Sequence, residues 1–223
     1  MKANAYIIGS GGHAKVVIDA IEAEGKYQIA GLIDDYREQG KTTLGYPVLG
    51  SLEPLLKELS RNSQRLNLFI AIGDNSQRKT ISTKIVKNKI NANFLTIIHP
   101  KAQVSPHATV EAGSIIMANA IIAPSAHIGQ HAIVNHHSSI DHDCSLDNYS
   151  SLSPGTVLCG SVSIGECSAI GANATIIEKV NIGKHTIIGA GSTVINDFEN
   201  NLVIVGSPAK IVSTRHTGQK YLK

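Results

Sequence analysis

Residues 158–194 read LCGSVSIGECSAIGANATIIEKVNIGKHTIIGAGSTV, with an aliphatic side chain at every sixth position: Leu158, Ile164, Ile170, Ile176, Ile182, Ile188 and Val194. Traced backwards, the register runs unbroken through Leu152, Leu146, Ile140, Val134 and Ile128 to Val104. A second series, mostly small, lies four residues behind and includes Ala120, Ala132, Cys144, Ser168 and Ala174. A period of six fits neither the 3.6-residue helix nor an alternating strand. It suits a solenoid of short strands joined by tight corners, each strand placing one aliphatic residue in a narrow core. The residue after the aliphatic one is often Gly (Gly129, Gly165, Gly171, Gly183, Gly189), Asn (Asn135) or Asp (Asp141, Asp147). All three types tolerate left-handed backbone, so positive φ is expected in that slot.

The first half has a different grammar. Residues 5–8 (AYII) form an apolar run, followed by Gly9-Ser10-Gly11-Gly12-His13-Ala14-Lys15 and a segment of helical spacing, VVIDAIEAEG. A strand, Gly-rich turn and helix present backbone N–H groups and a helix N-terminus where a phosphate can sit. The turn lacks the full GxGxxG spacing, and such turns also close βα units that hold no ligand. A second run, QIAGLID at 28–34, ends in Asp34-Asp35, where an acidic pair either meets a ribose or forms a solvated turn. A third, LNLFIAIGDNSQRKTI at 66–81, ends in Gly73-Asp74-Asn75, with Arg78 about one turn into a helix expected over 76–90. All three endings fall on the carboxyl edge of one parallel sheet, the usual ligand crevice of open α/β units. FLTIIHPKA at 94–102 leads into the repeat with no flexible linker, giving units at 1–95, 96–198 and 199–223.

Composition narrows the function. Among 223 residues, 20 Lys+Arg face 17 Asp+Glu with no run of like charge, which argues against nucleic-acid and anionic-membrane partners. Aromatic residues make up 4% with no Trp, against 20 Gly, which disfavours helix bundles and base-stacking platforms. Three cysteines without CxxC spacing give neither a disulfide framework nor a zinc knuckle and fit a reducing cytoplasm. The apolar run before Gly9 is too short for a signal-peptide core, and no apolar stretch approaches the ~18 residues of a membrane span, so a soluble cytoplasmic protein is expected.

The six-residue register resembles the hexapeptide-repeat acyltransferases. That resemblance implies an all-β left-handed parallel β-helix, three repeats per coil, and a homotrimer. Residues 18 apart then stack at the ~4.8 Å strand spacing. With GSGGHAK, LIDD and AIGDNxxR ahead of the repeat, the chain is similar over essentially its whole length to the sugar O/N-acyltransferases of the sialic acid O-acetyltransferase and bacillosamine N-acetyltransferase group. The resemblance implies a Rossmann-like α/β domain that holds a nucleotide-linked amino sugar, and acetyl-CoA bound between subunits. It assigns Gly11, Gly12, His13, Asp34, Asp35, Gly73, Asn75, Arg78 and Asn135 to the acceptor, with Arg78 as the cation for acceptor charge.

The chemistry is expected at Asp141-His142-Asp143 in the hexad SIDHDC. Attack of an amine or hydroxyl on a thioester needs a general base, and imidazole titrates in the right range. A neighbouring carboxylate fixes its tautomer and stabilises the imidazolium. The family's base lies in the matching acidic-His-acidic motif, which makes His142 the candidate. Side chains adjacent on an extended segment point apart, so corner geometry decides which aspartate orients it, and Asp143 is favoured. Family members often carry a second His nine residues on; here Ser151 stands in its place, at the acyl-CoA end of the site. Gly206, Pro208 and Lys210 of GSPAK match the family's GxPAK segment, and Gly171 and Gly189 lie on the coils that face CoA in relatives.

His136, His137, His142 and the two aspartates invite a metal reading, but His136 and His142 occupy equivalent slots on successive faces, so no convergent ligand set is expected. His107, His127, His131 and His185 read as exposed turn residues, and Cys144 as core. The reaction implied is N-acetylation of the 4-amino group of a nucleotide-linked amino-deoxy sugar in surface glycan biosynthesis. O-acetylation of a sialic acid and a catalytically degenerate binding scaffold are the alternatives.

Overall fold

The computed structural model describes residues 2–59 and 65–221. Its first part runs β1 (Ala3–Ile8), α1 (Gly12–Glu24), β2 (Tyr27–Ile33), β3 (Thr42–Thr43), β4 (Tyr46–Gly50), α2 (Leu52–Leu59), β5 (Leu66–Ile70), α3 (Asn75–Lys87) and β6 (Ala92–Phe94). These strands form one sheet in the order β3-β4-β2-β1-β5-β6, parallel except for the β3–β4 pair. The chain steps outward from β1 to β4 and then crosses to β5 on the other side. The loops after β1 and β5 therefore diverge, leaving a crevice at that switch point. Gly9 closes it from below. Its φ is +106°, and a Cβ there would stand 2.8 Å from the Ala71 carbonyl oxygen, so only glycine fits.

From Ile97 the chain winds into a parallel β-helix with three faces. The first carries Ile97–Ile98, Ile115–Ile116, Ile133–Val134, Ser151–Leu152, Ala169–Ile170 and Ile187–Ile188. The second runs from Gln103–Val104 through Ser139–Ile140 to Thr193–Val194, and the third from Thr109–Val110 through Ser145–Leu146 to Asn181–Ile182. Partners across each ladder are 18 residues apart, as in Ile115↔Ile133 and Ile140↔Leu158. The register thus begins one repeat earlier than Val104, at Ile98. Ile116, Val134, Leu152, Ile170 and Ile188 share a buried core with the small series behind them. Inward hydroxyls in that series are satisfied by main-chain carbonyls, Ser114 Oγ donating to Gly129 at 2.7 Å and Ser168 Oγ to Gly183 at 2.6 Å.

One expectation about the corners is corrected. Gly129, Gly165, Gly171, Gly183 and Gly189 do not have positive φ, nor do Asn135, Asp141 and Asp147. The left-handed residue lies two places further on, at Asn119, His131, Asp143, Tyr149, Asn173 and their equivalents. Glycine follows the aliphatic residue for another reason: the adjacent coil passes so close that a Cβ on Gly171 would meet Ala190 N at 2.5 Å. The constraint is packing between coils, not torsion.

The two halves share a core in which Val17, Ile18 and Ile21 of α1 meet Ile97, Ile115 and Ile133 of the first face. Past the last coil, strands Leu202–Gly206 and Ala209–Thr214 form an antiparallel hairpin whose first strand extends the first face by pairing with Ile187–Ile188. Among the described residues no helix is long and apolar enough to cross a membrane.

Candidate active site

His142 occupies the corner between the second and third faces, after strand Ser139–Ile140. Asp141 Oδ1 accepts the His142 backbone N–H at 2.7 Å and fixes the start of the turn. Asp143, at φ +59°, bends its side chain back so that Oδ2 lies 2.7 Å from His142 Nδ1. The left-handed corner thereby resolves which carboxylate orients the ring. With Nδ1–H held by Asp143, the lone pair resides on Nε2, to which no described residue hydrogen-bonds. The ring lies against Gly160 of the next coil, where a Cβ would stand 2.8 Å from Nε2. The Asp143 hydrogen bond, then the Asp141 charge, raise the His142 pKa above its ordinary value. Asn135 sits on the preceding corner, one face away. Among the described residues no group of His, Cys, Asp or Glu is placed to hold a metal ion.

The crevice is a cavity of about 300 Å³ lined by Gly9, Ser10, Gly11, Gly12, His13, Asp34, Asp35, Tyr36, Gly73 and Gln77 among others. Gly11 caps α1 without a side-chain hydrogen bond, leaving first-turn N–H groups available to a ligand. The two aspartates brace the rim. Asp34 accepts from Ser10 Oγ at 2.6 Å and from the Tyr36 and Arg37 amides, while Asp35 accepts the Leu52 amide at 2.7 Å. Burial, then the charges of Arg78 and His136, lower the His13 pKa to about 4, so its imidazole is neutral near pH 7, with Nε2 buried and unpartnered. Tyr36, a fully exposed ring at the mouth, and Ser10 were not picked out from the sequence. The run Asp34-Asp35-Tyr36 was the available signal.

Arg78 and Asn75 do not line this cavity. Arg78 is 1% exposed and joins the two halves of the molecule: Nε donates to the His131 carbonyl at 2.7 Å, Nη1 to Ile72 at 2.8 Å, and Nη2 to Tyr149 at 2.9 Å and Asn75 Oδ1 at 2.8 Å. Asn75 Nδ2 donates to the Ser168 carbonyl at 3.0 Å. Carbonyls at the corners between the third and first faces would otherwise be buried without donors, and the five-donor guanidinium satisfies several at once. Burial lowers its pKa to about 10, so it remains charged. His131, expected at the surface, is 2% exposed, stacked 5.1 Å from the Tyr149 ring and edge-on to Phe94 at 4.6 Å. Burial lowers its pKa to about 4.

Residues 4–85 match the family described as the PglD N-terminal domain. Over 103 residues the chain is 37% identical to UDP-N-acetylbacillosamine N-acetyltransferase of Bacillus subtilis (strain 168), a stretch covering 46% of this chain and 45% of that protein. PerB from Caulobacter crescentus, solved in complex with CoA and GDP-perosamine, superposes with a TM-score of 0.87 at 37% identity over 95% of this chain and 98% of its own. The acetyltransferase domain of PglB from Neisseria gonorrhoeae FA1090, in complex with acetyl coenzyme A, gives 0.86 at 34% identity over 95% and 100%.

The chain belongs to the sugar N-acyltransferase group.

In this N-acyltransferase the crevice and His142 do not face each other. The α/β domain packs on the first face, and the corner bearing His142 joins the other two. Ser151, on the first face, is 7% exposed and its Oγ lies 3.2 Å from Tyr221 Oη. Gly206 (φ +106°) ends the first strand of the hairpin, Pro208 lies in its exposed turn, Lys210 is exposed on the second strand opposite Val205, and Gly189 packs beneath Val205.

Proposed function

We propose that this N-acyltransferase transfers the acetyl group of acetyl-CoA to the 4-amino group of a nucleotide-linked amino-deoxy sugar, with His142 as general base, in cytoplasmic surface glycan biosynthesis. The observation that carries this reading is the Nδ1 contact to Asp143 with Nε2 open to an incoming group. The neutral amine attacks the thioester carbonyl, Nε2 takes the proton released at nitrogen, and collapse of the tetrahedral adduct breaks the C–S bond. The imidazolium then protonates the departing thiolate. Asp143 stabilises that imidazolium, and Asp141 holds the corner.

The separation of His142 from its own crevice supports a homotrimer in which the base of one protomer serves an acceptor held by its neighbour. The Gly11-Gly12-His13 turn and the α1 N-terminus suit the pyrophosphate of such an acceptor. Gly171, Gly189 and the Gly206–Lys210 turn are proposed to contact acetyl-CoA, Lys210 pairing with a phosphate. The Caulobacter and Bacillus relatives support the acceptor class through the GDP-perosamine and UDP-N-acetylbacillosamine in their names.

The test is thiol release from acetyl-CoA with UDP-, GDP- and dTDP-4-amino sugars, CMP-sialic acid and free sialic acid. Release with a 4-amino sugar is expected; release only with a sialic acid transfers the reading to O-acetylation. Mixed trimers of a His142→Ala chain and a Gly12→Trp chain, each inactive alone, are expected to regain activity.

A further inference from the structure

After the hairpin, residues 215–221 return toward the junction of the two halves. Arg215, 7% exposed, anchors this segment, Nη1 donating to the His185 carbonyl at 2.9 Å and Nη2 to that of Gln219, with its guanidinium 6.0 Å from the centroid of the Tyr221 ring. Tyr221 Oη donates to the Gly73 carbonyl at 3.3 Å and lies 3.2 Å from Ser151 Oγ. A phenol has one proton. With that proton directed to Gly73, Ser151 is the donor to Tyr221, and the three form a directed chain from the first face of the β-helix to the turn after β5.

That turn lines the acceptor crevice, and the same Gly73 carbonyl accepts from Arg78 Nη1 at 3.1 Å. Arg78 reaches it from inside α3 and Tyr221 from the far end of the chain. We propose that Tyr221 is a positioning residue of the acceptor site, its hydroxyl setting the Gly73 turn against Ser151. Without the hydroxyl, Ser151 Oγ loses its acceptor among the described residues at a nearly closed position, and Gly73 keeps the donor from α3. The burial that makes Tyr221 effective also raises its pKa, so the proton stays in place at neutral pH. The proposal rests on the acyl-transfer reading above.

The experiment measures acceptor KM and acetyl-CoA KM for wild type, Tyr221→Phe, Ser151→Ala and the double variant. Phenylalanine keeps the ring under Arg215 and removes only the hydroxyl. The expected result is a roughly three- to tenfold rise in acceptor KM for each single variant, the weight of one hydrogen bond, with no further rise in the double variant and, for Tyr221→Phe, no change in acetyl-CoA KM. An unchanged acceptor KM, strictly additive effects, or an equal rise of acetyl-CoA KM in Tyr221→Phe overturns the proposal. Wild-type protein silent with every acceptor would overturn the acyl-transfer reading instead. The same cycle is then measured on UDP and GDP binding by calorimetry, where a non-additive loss supports the link and an additive or absent one overturns it.

Discussion

The imidazole of His142 rests on Gly160 of the neighbouring coil so closely that a Cβ on that glycine would stand 2.7 Å from Cε1 and 2.8 Å from Nε2. The glycine therefore seats the ring of the proposed base. Gly160→Ala is expected to push the ring off its seat and break its alignment with Asp143. kcat should fall by about tenfold or more, because a displacement near 1 Å at the reacting atom is expensive. Steady-state kinetics together with a thermal melt separate this from unfolding, since the corner is at the surface.

Asp143 raises the His142 pKa above its ordinary value, so the neutral base is reached at higher pH than for a free imidazole. kcat/KM for the acceptor is expected to climb with pH through a midpoint above 6.5. Asp143→Asn removes the charge and should move that midpoint to lower pH while lowering the plateau by about tenfold or more through loss of the imidazolium partner. A pH profile of thiol release from both proteins checks the direction of the shift.

Arg78 is the hinge pin of the molecule. Arg78→Met leaves the carbonyls of His131, Tyr149 and Ile72 without their donor in a buried junction, at a cost of about 3 kcal/mol or more. Arg78→Lys keeps the charge but cannot fork between both halves, and is expected to fall between wild type and Met. Calorimetric unfolding of the three proteins gives the order.

His131 and His13 are held neutral by burial, each with a folded pKa of about 4 against 6.5 unfolded. A depressed folded pKa makes the contribution fully present above pH 6.5 and lost as pH falls toward 4, by about 2–3 kcal/mol for His131 and less for the partly exposed His13. His131→Phe, which keeps the stack on Tyr149, should flatten part of that loss. Denaturant melts at pH 7 and pH 4.5 measure it.

The β-helix was legible because each short strand repeats one burial pattern: Leu146, Leu152, Leu158, Ile164 and Ile170 are all buried, and their six-residue spacing states the period. The Asp141-His142-Asp143 corner was legible because its chemistry is local. The junction made by Arg78 and Asn75 was not, because the partners that tie them to the β-helix are carbonyls 53 or more residues away, and a carbonyl leaves no mark on residue type; nor was the burial of His131, whose ring packs on Tyr149 and Phe94. The corner torsions were misplaced by two residues for a related reason. Both a left-handed turn and a close approach between coils select glycine, and only coordinates distinguish them.

In the proposed reaction Nε2 of His142 removes the proton from an amine attacking acetyl-CoA. The most direct test of this step is single-turnover thiol release by His142→Ala beside wild type, with saturating acetyl-CoA and the 4-amino nucleotide sugar that wild type uses. The single-turnover rate constant should fall by ~10²–10⁴, with the binding of both substrates retained. Turnover of the alanine variant within a few-fold of wild type would contradict it.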